Sequence, residues 1–238
     1  MQNFPLVSVI CLSYNHQDYV VEALNSVINQ TYTNIELLIA DDCSSDNSVG
    51  VIQDWLKNHP NVYFLANEKN LGNTKTFNQL AKKAKESGVK QFVFMSTVKV
   101  YGEETDSKYS ENSACNPEDE YGKSKLRAEI ELQKLDNKNF KVSIIRPPIV
   151  YGKNAPGNMK SLLKLINKVP LLPFGKIENK RSMVYIGNLC HLVYEVITQE
   201  QSGVFLASDN EAISTSRLIE LIAKNLDKKI YIVKIPFF

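Results

Sequence analysis

The chain has 238 residues, 43% hydrophobic and 23% charged, the balance of a globular protein with one or two cores. A net charge of +2 gives no electrostatic reason to expect nucleic acid or an anionic membrane surface as partner. Cys11, Cys43, Cys115 and Cys190 lack CxxC spacing, which argues against a metal knuckle or a disulfide framework and fits a reducing cytoplasm. No metal is implied. The N-terminal Met-Gln-Asn-Phe-Pro has no secretory pattern, and no apolar run reaches membrane-spanning length.

The β-branched run from Leu6 to Leu12 reads as a strand that breaks into the loop Ser13-Tyr-Asn-His16. Val20, Ala23, Leu24, Val27 and Ile28 recur at helical spacing between Asp18 and Asn29. A strand from Ile35 to Ala40 ends at Asp41-Asp42, and Ser45 or Asp46 can cap a helix from Ser48 to Asn58. A third strand, Val62 to Ala66, leads through a loop to a helix from about Thr74 to Ser87. This βαβαβα order predicts a doubly wound, mostly parallel, Rossmann-like α/β sheet.

The run Gln91 to Thr97 predicts a buried strand whose hydroxyls, Ser96 and Thr97, appear at its C-terminal end, where open α/β sheets bind ligands. Tyr121 and Lys125 are four apart on a predicted helix and share a face, so the ammonium can favour the phenolate and make Tyr121 a candidate general base. Such pairs are also common on exposed helices. Helices at Ser161 to Asn167 and near Ser214 to Leu226, with a strand-like Ile230 to Ile235, predict a small C-terminal α/β substrate subdomain. His16, His59 and His191 have no partners at ligand spacing, and His191 reads as a packing residue on an apolar helix.

Three motifs in the first 80 residues resemble the family 2 glycosyltransferases of GT-A fold: Val7-Ser-Val-Ile-Cys-Leu-Ser-Tyr-Asn15, Asn34 to Ser48 with its Asp41-Asp42 pair, and Asn67-Glu-Lys-Asn-Leu-Gly-Asn73. That resemblance implies a nucleotide-sugar donor, most simply a UDP-sugar, held by Ser13, Tyr14, Asn15 and Asp41 or Asp42. By the residues alone, the acidic turn equally reads as a solvated turn and helix cap. The Asp-x-Asp metal motif of that family does not follow the strand that ends Met95-Ser-Thr97.

From about residue 80 the chain resembles the NAD-dependent nucleotide-sugar epimerases and dehydratases, which are extended short-chain dehydrogenase/reductases. The matching motifs are Ser96-Thr-Val-Lys-Val-Tyr-Gly102, Tyr121 to Glu129, Arg146-Pro-Pro-Ile-Val-Tyr-Gly152 and Arg181 to Leu189. The resemblance implies Thr97, Tyr121 and Lys125 as the catalytic set, cofactor contacts at Tyr121, Lys125, Pro148 and Asp41, and a diphosphate contact at Arg181. It also implies NAD as cofactor and a homodimer formed through the tyrosine helix and its neighbour. Ile149 departs from the asparagine common in that family. The loop Ser13 to Asp18 contains none of the glycines that let a dinucleotide pyrophosphate approach.

The sequence thus predicts two segments, 1–80 and 81–238, joined inside the helix near Thr74 to Ala84 and sharing one continuous sheet. Three functions stay open at this stage: an epimerase or dehydratase, a family 2 transferase that binds a UDP-sugar, and an inactive hybrid of the two.

Overall fold

The computed structural model describes residues 6–103, 108–153, 158–175, 177 and 179–233. It is a mixed α/β protein with mostly parallel strand pairing, as the element order predicts. The chain divides into two compact units, one built from residues up to Phe94 with Cys115–Val142, the other from Met95–Ala114 with Ser143 onward. The segment junction predicted near residue 80 falls inside the first unit.

In the first unit, β1 (Val7–Ser13), β2 (Ile35–Asp41) and β3 (Tyr63–Ala66) form a parallel sheet in that order. Register pairs Ser13 with Asp41 and Asp41 with Ala66, so the three strand ends, and the loops that leave them, lie along one edge. Alternation along β2 decides which helix meets which face. Leu37 and Ile39 pack with Val20 and Leu24 of α1 (Val20–Ile28) and with Ile52 and Trp55 of α2 (Ser48–Leu56). Leu38 and Ala40 point the other way, onto Leu80 and Ala84 of α3 (Asn73–Glu86). His59 stacks on Trp55 with ring centroids 3.8 Å apart.

Helix α3 also carries Phe77 against Phe92 and Phe94 of β4 (Gln91–Met95), at centroid separations of 5.6 and 4.9 Å. Alongside it runs α4 (Glu120–Gln133), joined by bonds from Thr74 Oγ1 to the Ser124 carbonyl (3.1 Å) and from Lys85 Nζ to the Leu135 carbonyl (2.7 Å). The strand predicted to run on to Thr97 stops at Met95. Thr97 instead opens a short 3-10 turn, Val98–Tyr101.

In the second unit, residues Ser143–Arg146 of β5 (Lys141–Arg146) pair in parallel with β9 (Gly203–Leu206). A second sheet orders β10 (Ala212–Ile213), β8 (Arg181–Tyr185) and β6 (Ile149–Tyr151), with β6 and β8 parallel and β10 antiparallel to β8. The predicted substrate subdomain is present as α5 (Asn158–Lys168) and α7 (Thr215–Asn225), which bury Ile166, Ile219 and Ala223 with Leu172 of β7 (Leu171–Leu172). β7 pairs with β11 (Tyr231–Ile232), which is shorter than the strand predicted over Ile230 to Ile235: Ile230 and Val233 flank it outside the strand, and Lys234 and Ile235 lie outside the described residues. The remaining helix, α6 (Ile186–Thr198), places His191 on its exposed side, 3.9 Å from Glu195. The packing role predicted for His191 is therefore wrong: it shares an apolar helix but not that helix's buried face, which Leu189 and Val196 occupy.

Candidate functional site

Loops leaving the C-terminal ends of β1 and β2 are bonded to one another rather than open. The Asn15 amide donates to Ser44 Oγ (2.8 Å), the His16 amide to Ser48 Oγ (2.8 Å) and the Gln17 amide to Asp46 Oδ2 (3.1 Å). In return, Asn15 Oδ1 accepts from the Ser45 amide (2.8 Å) and Gln17 Oε1 from the Asn47 amide (2.9 Å). Asn15 adopts φ 56 and Cys43 φ 63, the left-handed backbone that asparagine tolerates and cysteine rarely takes. Neither cap predicted for α2 holds the N-cap position, which Asn47 takes without a side-chain capping bond; Asp46 accepts the Ser48 amide at 2.9 Å from one residue further out, and Ser45 is held by Asn15.

Both predicted donor-binding aspartates sit beneath these loops. Asp41 is 0% exposed and takes the Ser44 amide (2.8 Å) and hydroxyl (2.6 Å) on its two oxygens. Asp42, 4% exposed, accepts from Thr76 Oγ1 (2.7 Å), the Leu71 amide (2.9 Å) and Asn67 Nδ2 (3.0 Å). Burial pushes the Asp42 carboxyl upward, but the bonds from Thr76, Leu71, Asn67 and Gly72 outweigh it and hold the group below the ordinary aspartate value. Ser13 is 2% exposed, and its hydroxyl has no partner among the described residues. Tyr14 is 46% exposed, and Asn15 beside it is exposed as well.

Tyr121 and Lys125 do share a face of α4, whose first turn is capped by Asp119 accepting the Gly122 amide at 2.6 Å. Lys125 Nζ lies 5.8 Å from the Tyr121 ring centroid and 4.8 Å from that of Phe94. Burial lowers the Lys125 pKa, and the carboxylate of Glu129, one turn on, partly restores it. Tyr121 is 52% exposed. The ammonium therefore sits on apolar ring faces beside an accessible phenol, an arrangement suited to a proton-transferring pair.

The other predicted residues belong to the second unit. Thr97 is buried, and its Oγ1 accepts the Lys99 amide at 3.3 Å. Pro148 lies half-buried between β5 and β6, and Arg181 is exposed at the first residue of β8, in register with Ile213. Sequence reasoning missed Asp209. One carboxylate oxygen accepts Tyr151 Oη (2.7 Å) and the Tyr185 amide (3.0 Å), and the other Asn188 Nδ2 (2.8 Å). These bonds, Asn188 foremost, keep the acid below its ordinary pKa, while the bond to Asp209 raises that of Tyr151. Also missed was buried Arg146, which donates to Tyr101 Oη at 2.6 Å with its guanidinium 4.7 Å from that ring's centroid. Among the described residues no group of histidines, cysteines and carboxylates has metal-binding geometry, and no helix is long and apolar enough to cross a membrane.

Parallel strands whose loops gather at one edge, with helices packed on both faces of the sheet, define the doubly wound α/β class. Comparison narrows this. The model of the NAD dependent epimerase/dehydratase family matches residues 57–206, more than half of the chain, so the chain belongs to that family. The Glycosyl transferase family 2 model matches residues 8–97. A UDP-glucose 4-epimerase of Vibrio cholerae is 42% identical over 167 residues, 67% of this chain and 50% of that protein. An uncharacterized glycosyltransferase of Haemophilus influenzae is 39% identical over 72 residues, 30% of this chain and 22% of that protein. The chain thus spans about half the length of the curated epimerase it matches. A solved UDP-N-acetylglucosamine 4-epimerase from Methanobrevibacter ruminantium M1 shares the fold with a TM-score of 0.66 at 16% identity, covering 98% of this chain and 87% of that one.

Proposed function

We propose that the chain binds a nucleotide sugar, most simply a UDP-sugar, through its epimerase-like segment. Tyr121 and Lys125 of the first unit form the proton-transferring pair, and the family resemblance gives Thr97 a bond to the sugar oxygen and Arg181 a contact with the diphosphate. The observation that carries this reading is the Tyr121–Lys125 pair, one face of one helix with the lysine on aromatic rings, inside a stretch that matches the epimerase family. In that family NAD supplies the hydride acceptor. We draw no redox step in this chain, because the amides of the turn after β1 are already bonded.

Calorimetric titration with UDP-glucose tests the reading. Arg181→Ala is expected to weaken binding roughly tenfold or more, the scale of a charge-assisted contact, while Tyr121→Phe leaves affinity within about twofold. Absence of UDP-glucose binding by the unsubstituted protein would sink it.

A second reading places the UDP-sugar at the loops after β1 and β2, as in a family 2 transferase, and is favoured by the exposed Tyr14 beside that edge. UDP binding lost in Tyr14→Ala but kept in Arg181→Ala selects it. Binding without turnover marks the third, an inactive hybrid. The homodimer implied by the family resemblance would use α4 and its neighbour α3, with Ile130 exposed on α4; light scattering of Ile130→Glu tests it.

A further inference from the structure

We infer that Asp46, with the hydroxyls of Ser44 and Ser48, stands in as the chain's own anion at the turn after β1, so that the turn admits no dinucleotide pyrophosphate and the protein carries no NAD. In a doubly wound fold the pyrophosphate is held by backbone amides of that turn and by the start of the following helix, and glycines clear the space for it. Here five of those amides are already bonded within the chain. Asn15, His16 and Gln17 donate to Ser44 Oγ, Ser48 Oγ and Asp46 Oδ2, and the amides of Tyr19 and Val20 both turn back to the His16 carbonyl at 2.9 Å.

The closure is doubly tied. Asp46 Oδ1 also holds the Ser48 amide, and Ser48 Oγ donates to that same oxygen, so the carboxylate is anchored to the first turn of α2 as it caps Gln17. Asn15 and Gln17 return two bonds from their side chains to the β2–α2 loop. A phosphate entering this turn would have to displace a carboxylate already anchored on three donors, in a stretch whose Asp18 adds a second negative charge. Of the turn's buried side-chain atoms among the described residues, the Ser13 hydroxyl is the one left unpartnered, a single donor against the several a pyrophosphate requires.

The exclusion of NAD stands on this geometry alone. That the chain still takes a nucleotide sugar rests on the function proposed above, and the two are separable by experiment. Backbone amide NMR of the full chain would follow Asn15, His16 and Gln17 during titrations with inorganic pyrophosphate, NADH and UDP-glucose, with NADH fluorescence read in parallel. Expected are unmoved amides and no fluorescence enhancement with pyrophosphate or NADH at about 1 mM. Asp46→Ala is expected to speed exchange of the Gln17 amide roughly tenfold and to make it respond to pyrophosphate.

Saturable NADH binding by the unsubstituted protein that moves these amides overturns the inference. So does a folded Asp46→Ala whose Gln17 amide exchanges unchanged. Should that variant not fold, the titrations of the unsubstituted protein decide alone. UDP-glucose that fails to bind removes the proposed function and leaves the closed turn standing.

Discussion

Asp42 follows the last residue of β2 and fastens the start of α3 through Thr76, 34 positions away, with Leu71 and Asn67 completing its shell. A buried carboxylate with three donors becomes expensive to remove, because the donors are left without an acceptor. Asp42→Ala is expected to cost about 2–3 kcal/mol in urea unfolding. Because the folded pKa lies below the unfolded one, the carboxylate's contribution is complete above the unfolded pKa and is lost as pH falls through the folded value. Stability should therefore drop below about pH 4, and Asp42→Asn should flatten that drop; an unchanged acid limb would show the stabilisation comes from elsewhere. Asp209 plays a comparable part in the second unit, and Asp209→Ala should raise exchange of the Tyr185 amide roughly tenfold. Neither hub is visible in a linear reading. Asp209 meets Tyr151, Asn188 and Tyr185 across separations of 58, 21 and 24 residues, and no periodicity connects such positions.

Helix α3 lies inside both family matches and serves both. Leu80 and Ala84 cover the β1–β3 sheet, Phe77 meets the β4 aromatics, and Thr74 and Lys85 bond to the α4 segment. Its place after a strand and loop made it legible in the sequence to within a residue at each end, as the apolar, β-branched run did for β1. The sheet of β6, β8 and β10 was not legible: its strands are short, and β10 has only two residues, too few to show a period. Leu80→Ala should lower stability by about 2–5 kcal/mol. Trp55, the single tryptophan, packs on the opposite face of β2, so it reports whether that loss spreads across the sheet. A fluorescence midpoint that does not move would mean that α3 and the sheet unfold separately.

At the level of the molecule, family boundaries and compact units do not coincide. The glycosyltransferase match ends at 97 and the epimerase match begins at 57, whereas the first unit takes residues up to Phe94 and then Cys115–Val142. A chain cut near residue 80 would keep Leu80 but lose Ala84, Phe92 and Phe94, which leaves the α3 face of the sheet half covered and the Phe77 ring without its partners. Exposed apolar surface of that kind is not tolerated by so short a fragment. Residues 1–80 expressed alone should accordingly fail to give a cooperative transition. Limited proteolysis supplies the complementary test at the Glu68 to Asn73 loop, where the Leu71 amide is tied to Asp42 and Gly72 opens α3 at φ 83. A nick there should give two bands on a denaturing gel and one peak in gel filtration, because the sheet, α3 and α4 remain bonded within the unit. Two separately eluting, folded fragments would show that the two ancestral segments are independent bodies joined only by the chain.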